Sequence, residues 1–330
     1  MLRHRAVFIV GRRGGRPVIE MTFLQNLLGD PVGQAAIVPF AIGFLLALIL
    51  RIVGGAAWGH RLAALGIGAA FLVVYYLAHN GVPAFPPAAT AQKMFYVAAA
   101  SIALGVLLDL AGAARAGGHL FAFVAPLAAL VWMRWPQVTA GPSGGLIATL
   151  AVLFLASIVV YWRQAASARG ADTEEASSAA LFPAIQVLVA GIGLGGIALL
   201  GISLAFGTLA LALAAAAGGY LLVSYLVHLI AARGLGYGAT GAFGAGGVWL
   251  ALAYAAVFAA DAPVKPVLIG VVALAFAIDF VARPLALLVA ASGAPGAARL
   301  LQPLAYGIIV AIPPAAALAY AWFVLGWRMN

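Results

Sequence analysis

"VALAFAIDFVARPLALLVA", residues 272–290, sets an aspartate and an arginine into a run that is otherwise apolar. Asp279 and Arg283 are four residues apart, so on an α-helix they share a face and their side chains can meet. In a soluble core they would form a buried ion pair. In a bilayer, an ionisable residue at depth marks a functional position. Composition decides between the two settings. Of 330 residues, 66% are hydrophobic and 8% charged, against about 45–50% and 25% in an average soluble domain. Apolar stretches long enough to cross a hydrocarbon core of about 30 Å, at about 1.5 Å per residue, recur along the chain. The chain therefore reads as an all-α, polytopic integral membrane bundle.

Ten spans are expected, near 35–53, 62–79, 94–112, 119–134, 145–162, 181–203, 207–230, 242–260, 266–282 and 303–327. Ahead of the first, "TFLQNLLG" (22–29) is a short amphipathic stretch suited to the interface, followed by Asp30 and Pro31 as helix N-cap and first-turn residue. Residues 1–20 carry five arginines beside an apolar run too short for a signal-peptide core. They are expected to be a disordered tail or an upstream start-site artefact, with Met21 opening a single transmembrane domain, 21–330.

The net charge of +9 comes from arginines and lysines that mostly flank apolar spans, which reads as membrane orientation and not as nucleic-acid binding. Alternate loops divide these residues unequally. Arg51, Arg61, Arg115, Arg163, Arg169, Arg233, Arg283 and Arg299 fall on one side; Lys93, Arg134, Lys265 and Arg328 fall on the other. With the five leader arginines set aside, since they count the other way, the positive-inside rule makes both termini periplasmic, and the Arg, Ala and Gly bias suggests the inner membrane of a GC-rich bacterium.

The hydrophilic linker 163–180 splits the chain into two sets of five spans. An odd number per set would invert one relative to the other. "FLVVYYLAH" (71–79) aligns with "YLLVSYLVH" (220–228), pairing Tyr76 with Tyr225 and His79 with His228, and the same offset sets Arg134 on Arg283. The final spans of the two sets end alike, in Trp162-Arg163 and Trp327-Arg328. Pseudo-repeats 35–163 and 181–328 are thus expected, related by a two-fold axis in the membrane plane.

Entering from the periplasm at Pro266, Asp279 would lie about 20 Å down the span and Arg283 near the opposite surface, with Pro284 bending the chain away. A charged aspartate there costs about 2.5–3.5 kcal/mol, so it should face protein and not lipid. Either the pair is an anchor, or its carboxylate takes part in transport. In "PLAYGIIVAIPPAAALAYAWFVLGW" (303–327), Pro313 and Pro314 remove two backbone donors, so that helix is expected to break or kink near its centre. Freed carbonyls at that depth need protein or a wet cavity, which makes the site a solute-pathway candidate. Gln186, Tyr225 and His228 are further polar positions in spans.

"GIGLGG" (191–196) fits a dinucleotide fingerprint formally, but it follows no strand and sits within an apolar helix, where small residues serve close packing. The glycines of "GLGYGATGAFGAGG" (234–247) suit the same packing or a re-entrant entry to the next span. The proline-rich loop "HNGVPAFPPAATAQKMFY" (79–96) is apolar enough to fold back on the bundle. "GPSGG" (141–145) fits G-x-S-x-G and resembles the G-x-S-G serine motif of rhomboid intramembrane proteases. That resemblance implies a Ser143 nucleophile, with His79 on the same side as its base. It covers this loop alone, and the ten-span count departs from that family.

Cysteine is absent, and neither H-E-x-x-H nor a P-loop occurs, so no metal or cofactor is expected. The expected partners are the lipid bilayer and a small solute. The leading functional expectation is a secondary carrier or permease for a small or amphipathic solute. A structural or assembly subunit of a membrane complex and an intramembrane serine hydrolase using Ser143 are the alternatives.

Overall fold

Backbone N–H and C=O groups find no water in a bilayer core, so a chain this apolar satisfies them within helices. The computed structural model describes residue 30 and residues 33–167, 180–231, 235–259, 266–291 and 295–325, and no strand occurs among them. The basic leader, the stretch 22–29, most of the linker and the Trp327-Arg328 pair lie outside the described residues.

The principal helices are α1 (Val38–Gly54, entered through a π-helical turn, Gly33–Ile37), α2 (Leu65–His79), α3 (Thr90–Leu110), α4 (Ala114–Met133), α5 (Gly144–Ser167), α6 (Phe182–Gly201), α7 (Leu204–Ala231), α8 (Gly246–Val257, entered through π-helical Thr240–Ala245), α9 (Pro266–Ala277), α10 (Asp279–Ala291) and α11 (Pro295–Leu325). Local chemistry sets several boundaries. Asp30 accepts the Gly33 N–H at 2.9 Å, as the N-cap reading expected. Ser143 and Ser203 accept the N–H groups of Leu146 and Phe206, both at 3.2 Å. Gln92 reaches back to the Ala88 N–H. At the end of α2, Asn80 takes a left-handed conformation, φ 53°, and returns its N–H to the Tyr76 carbonyl.

Among the described residues, seven helices are long and apolar enough to cross a membrane, or eight if α9 and α10 count as one bent span. Ten were expected. The difference lies in α2 and in Gly117–Met133 of α4, which are apolar but shorter, and in the break between α9 and α10. That break falls at Ile278, where the two axes meet at 48°. The expectation of a span ending at 282 and a loop beyond it is corrected: residues 279–291 form a helix, with Pro284 inside it. Pro284 has no N–H to give the Phe280 carbonyl, while the break itself lies further upstream, where the Val281 and Ala282 N–H groups both turn to the Ile278 carbonyl.

The expected break at Pro313-Pro314 is absent, and α11 runs through both prolines. The Pro314 ring lies against Gly193 of α6. A Cβ added at Gly193 would come within 2.7 Å of Pro314, and one at Gly196 within 2.6 Å of Leu318. The other glycines of "GIGLGG" serve α7, with Gly191 meeting Ala214 and Gly195 meeting Leu211. One glycine-rich turn thus seats two neighbouring helices.

Helix α8 is the hub. Of the span Thr240–Val257, 94% is buried, against 17% for the spans of α1 and α5. It packs on α3 most extensively and also on α2, α5, α6, α7 and α9. Helix α6 is also central and lies along α7, α11 and α9, whereas α1 is peripheral and lies on α7 and α2. The α1–α7 crossing is close enough that a Cβ on Gly43 would strike the Ala216 carbonyl, and one on Gly219 the Phe40 carbonyl.

Candidate functional site

Only two acids occur within the described helices, Asp109 and Asp279, and each is 4% exposed. Asp279 opens α10 at the break. Its Oδ1 accepts from Arg283 Nε at 2.8 Å and from the Tyr306 hydroxyl, on α11, at 2.7 Å. Tyr306 in turn accepts from Gln186 Nε2, on α6, at 2.9 Å. Gln186 Oε1 accepts from Gln164 Nε2, on α5, at 2.8 Å. Gln186 also reaches the Phe276 carbonyl, two residues ahead of the break, at 3.5 Å. Four helices are thereby joined by a line of donors that all point towards one carboxylate. Gln164, Gln186 and Tyr306 are fully buried, and Gln164 Oε1 has no partner among the described residues.

Arg283 keeps a third of its side chain exposed and lies 5.5 Å from the centre of the Phe182 ring, which itself stacks on Tyr306 at 3.9 Å. The guanidinium therefore bridges a buried anion and an accessible edge, in the manner of a snorkelling side chain.

The structure brings Asp279, Arg283 and Gln186 together and adds Gln164 and Tyr306, which the sequence reading did not single out. Tyr225 stands apart on α7, its hydroxyl donating to the Leu300 carbonyl at 3.4 Å, and His228 is buried on the same helix. Pro313 and Pro314 lie further along α11 than Tyr306. Ser143 and His79 each hold a local partner. The Ser143 hydroxyl caps α5, while His79 stacks on Tyr75 at 4.1 Å with Nδ1 3.1 Å from the Tyr75 carbonyl oxygen. Among the described residues, no hydrogen bond joins the two, and no group of three His, Asp or Glu side chains is placed to hold a metal. The loop 79–90 folds back through Tyr96, whose hydroxyl donates to the Pro83 carbonyl and whose ring meets Phe85.

Asp109 makes a second polar centre, also unforeseen. Its Oδ1 accepts the Ala239 N–H at 2.9 Å and its Oδ2 the Thr240 N–H at 2.6 Å, at the entry to the hub helix. Gly238 makes this possible with φ 60°, because a Cβ there would meet the carboxylate at 2.5 Å and the Arg61 carbonyl as closely. Three more contacts strap the same entry. The Gly236 N–H donates to His60 Nδ1, the Leu235 N–H to Ser224 Oγ, and the Tyr220 hydroxyl to the Leu235 and Gly236 carbonyls. The glycine-rich stretch 235–247 is thus a fastened entry to α8.

Beside Asp109 opens a cavity of about 320 Å³, lined by Arg61, His119, Gly112, Gly118, Ala165 and Phe243 among others. A second, apolar groove of about 450 Å³ lies along α6 and α7, lined by residues such as Leu188, Ile192 and Leu211. Neither reaches Asp279.

Comparison of the chain with protein-family models, with characterised proteins and with solved structures finds no match.

Proposed function

We propose that the chain is a multi-pass membrane carrier for a small or amphipathic solute, with Asp279 as the charge-bearing group of its pathway. The observation that carries this reading is the broken span. A helix bent by 48° inside an apolar bundle places a carboxylate at the joint, where it is held by side chains of its own and a neighbouring helix and not by fixed backbone. Ionisable groups at such joints are where carriers handle solute and ion. The setting proposed is a bacterial inner membrane with both termini periplasmic, supported by the eight-to-four division of Arg and Lys between the two sides.

An inverted repeat of 35–163 on 181–328 would suit alternating access. Packing supports it in the middle of the molecule: α2 lies against α7 and α3 against α8, as pairs exchanged by a two-fold axis would, and α1–α2 has its counterpart in α6–α7. The surroundings of α1 and α6 differ, so the correspondence is weakest there.

The test is reconstitution of the full chain in liposomes loaded with a pH-sensitive dye, challenged with a panel of small amphipathic solutes. At least one solute should move protons with wild type and none with Asp279→Asn of equal monodispersity. Equal flux in both proteins, or no flux with any solute, removes the reading.

A structural subunit is the second reading. It is favoured by the closure around Asp279, whose Oδ1 is doubly satisfied and which no described cavity reaches. It predicts that the chain leaves native membranes in mild detergent only as part of a larger complex.

A further inference from the structure

The cavity beside Asp109 has an electrostatic imbalance that the Asp279 centre lacks. Three of its lining side chains ionise: Arg61, Asp109 and His119. The carboxylate is engaged by two backbone N–H groups at 2.9 and 2.6 Å. Its charge is therefore largely answered inside the wall, by charge-assisted hydrogen bonds at the positive end of a helix. Arg61 and His119 have no comparable partner. Both are exposed, and among the described residues neither forms a hydrogen bond or ion pair through its side chain. What is left facing the space is cationic.

Its other walls are small or apolar. Gly112 and Gly238 put no side chain into the space, and Phe243 supplies an aromatic surface backed by Tyr161, stacked at 4.8 Å. A volume of about 320 Å³ suits a small organic group. An Arg beside glycine-lined backbone is the arrangement that receives phosphate oxygens, and basic pockets between helices at a membrane surface receive phosphate head groups. The geometry points to a binding site for a phosphate-bearing amphipathic anion, its phosphate between Arg61 and His119 and its apolar body against Phe243. The source is either a phospholipid head group or a soluble organic phosphate. This site is separate from the Asp279 centre and does not rest on the carrier reading.

The experiment uses the purified full chain in detergent, in two arms. In the first, native mass spectrometry compares retention of phosphatidylglycerol and phosphatidylcholine. In the second, binding of phenyl phosphate is titrated, with benzyl alcohol as the uncharged counterpart. Wild type should hold phosphatidylglycerol over phosphatidylcholine if the source is lipid, or bind phenyl phosphate over benzyl alcohol if it is soluble. Either preference should weaken about tenfold or more in Arg61→Gln/His119→Gln, as expected for losing the charged Arg61 donor together with the imidazole. Arg61→Lys should retain most of it, which separates lost charge from lost fold. Arg163→Gln, at the same end of the bundle but above Phe280, should change it little. An unchanged double variant, equal binding of charged and uncharged probes, or an equal loss in Arg163→Gln would each overturn the assignment.

Discussion

Asp279 and Asp109 are equally buried, yet they are held in opposite ways. Asp279 answers to side chains, Arg283 and Tyr306, that have rotamers and can change partner. Asp109 answers to two peptide N–H groups at the start of a helix that is itself walled in by six others. A carboxylate served by side chains marks a place that can rearrange. One served by backbone at a helix start is a fastener, because those N–H groups have no partner within the helix and its departure leaves them unpaired in a buried place. The same residue type, at the same exposure, thus belongs to a joint in one region and to a lock in the other.

That contrast ranks the consequences of mutation. The largest loss is expected for Asp109→Ala, which orphans two buried N–H groups; about 3 kcal/mol is the scale for such a site. Unfolding of detergent-solubilised protein in an SDS titration measures it, and a loss no greater than that of Asp279→Ala would erase the distinction. Asp279→Asn should cost less, about 1 kcal/mol. Its amide oxygen can still accept from Tyr306, and Arg283, already a third exposed, can turn to water. A double-mutant cycle of Gln186→Leu with Tyr306→Phe sharpens the picture of the joint. A coupling of roughly 1 kcal/mol is expected if the line of donors acts as a unit, and simple additivity would reduce it to separate contacts. Smallest is Ser143→Ala, which removes an exposed cap and should cost at most about 1 kcal/mol. Wild type should take up no fluorophosphonate label at Ser143, and labelling there would revive the hydrolase alternative.

The joint was partly legible in the sequence and the lock was not, for a reason of distance along the chain. Asp279 and Arg283 share a helix, so their spacing announces their contact. Gln186 stands out in sequence as a polar span residue but its partner does not, and Tyr306 and Gln164 look like ordinary span residues until the helices are placed. Asp109 ends an apolar run, and its partners lie 130 and 131 residues away. The position of the bend was misjudged for another reason. Two adjacent prolines look like the strongest breaker in the chain, yet α11 continues through them with Pro314 seated on Gly193 of α6, whereas the break falls at Ile278, ahead of a helix that holds the single Pro284. The all-helical character needed no such placement, since composition and span length carry it. The short α2 and the helical 279–291 show where span counting fails: an Arg-Pro pair resembles a loop even when the helix continues through it.

The hub helix has a consequence for the order in which the chain is made. Of the seven long spans, Thr240–Val257 is the least apolar, so on its own it has the weakest claim to remain in lipid. Its main neighbours among the described residues, α2, α3, α5, α6 and α7, precede it in the chain, and α9, which it touches less, follows. A ribosome emitting residue 240 has therefore already delivered almost the whole socket, Asp109 included. The span with least affinity for the bilayer can pass from the insertion machinery to a protein wall without residing in lipid.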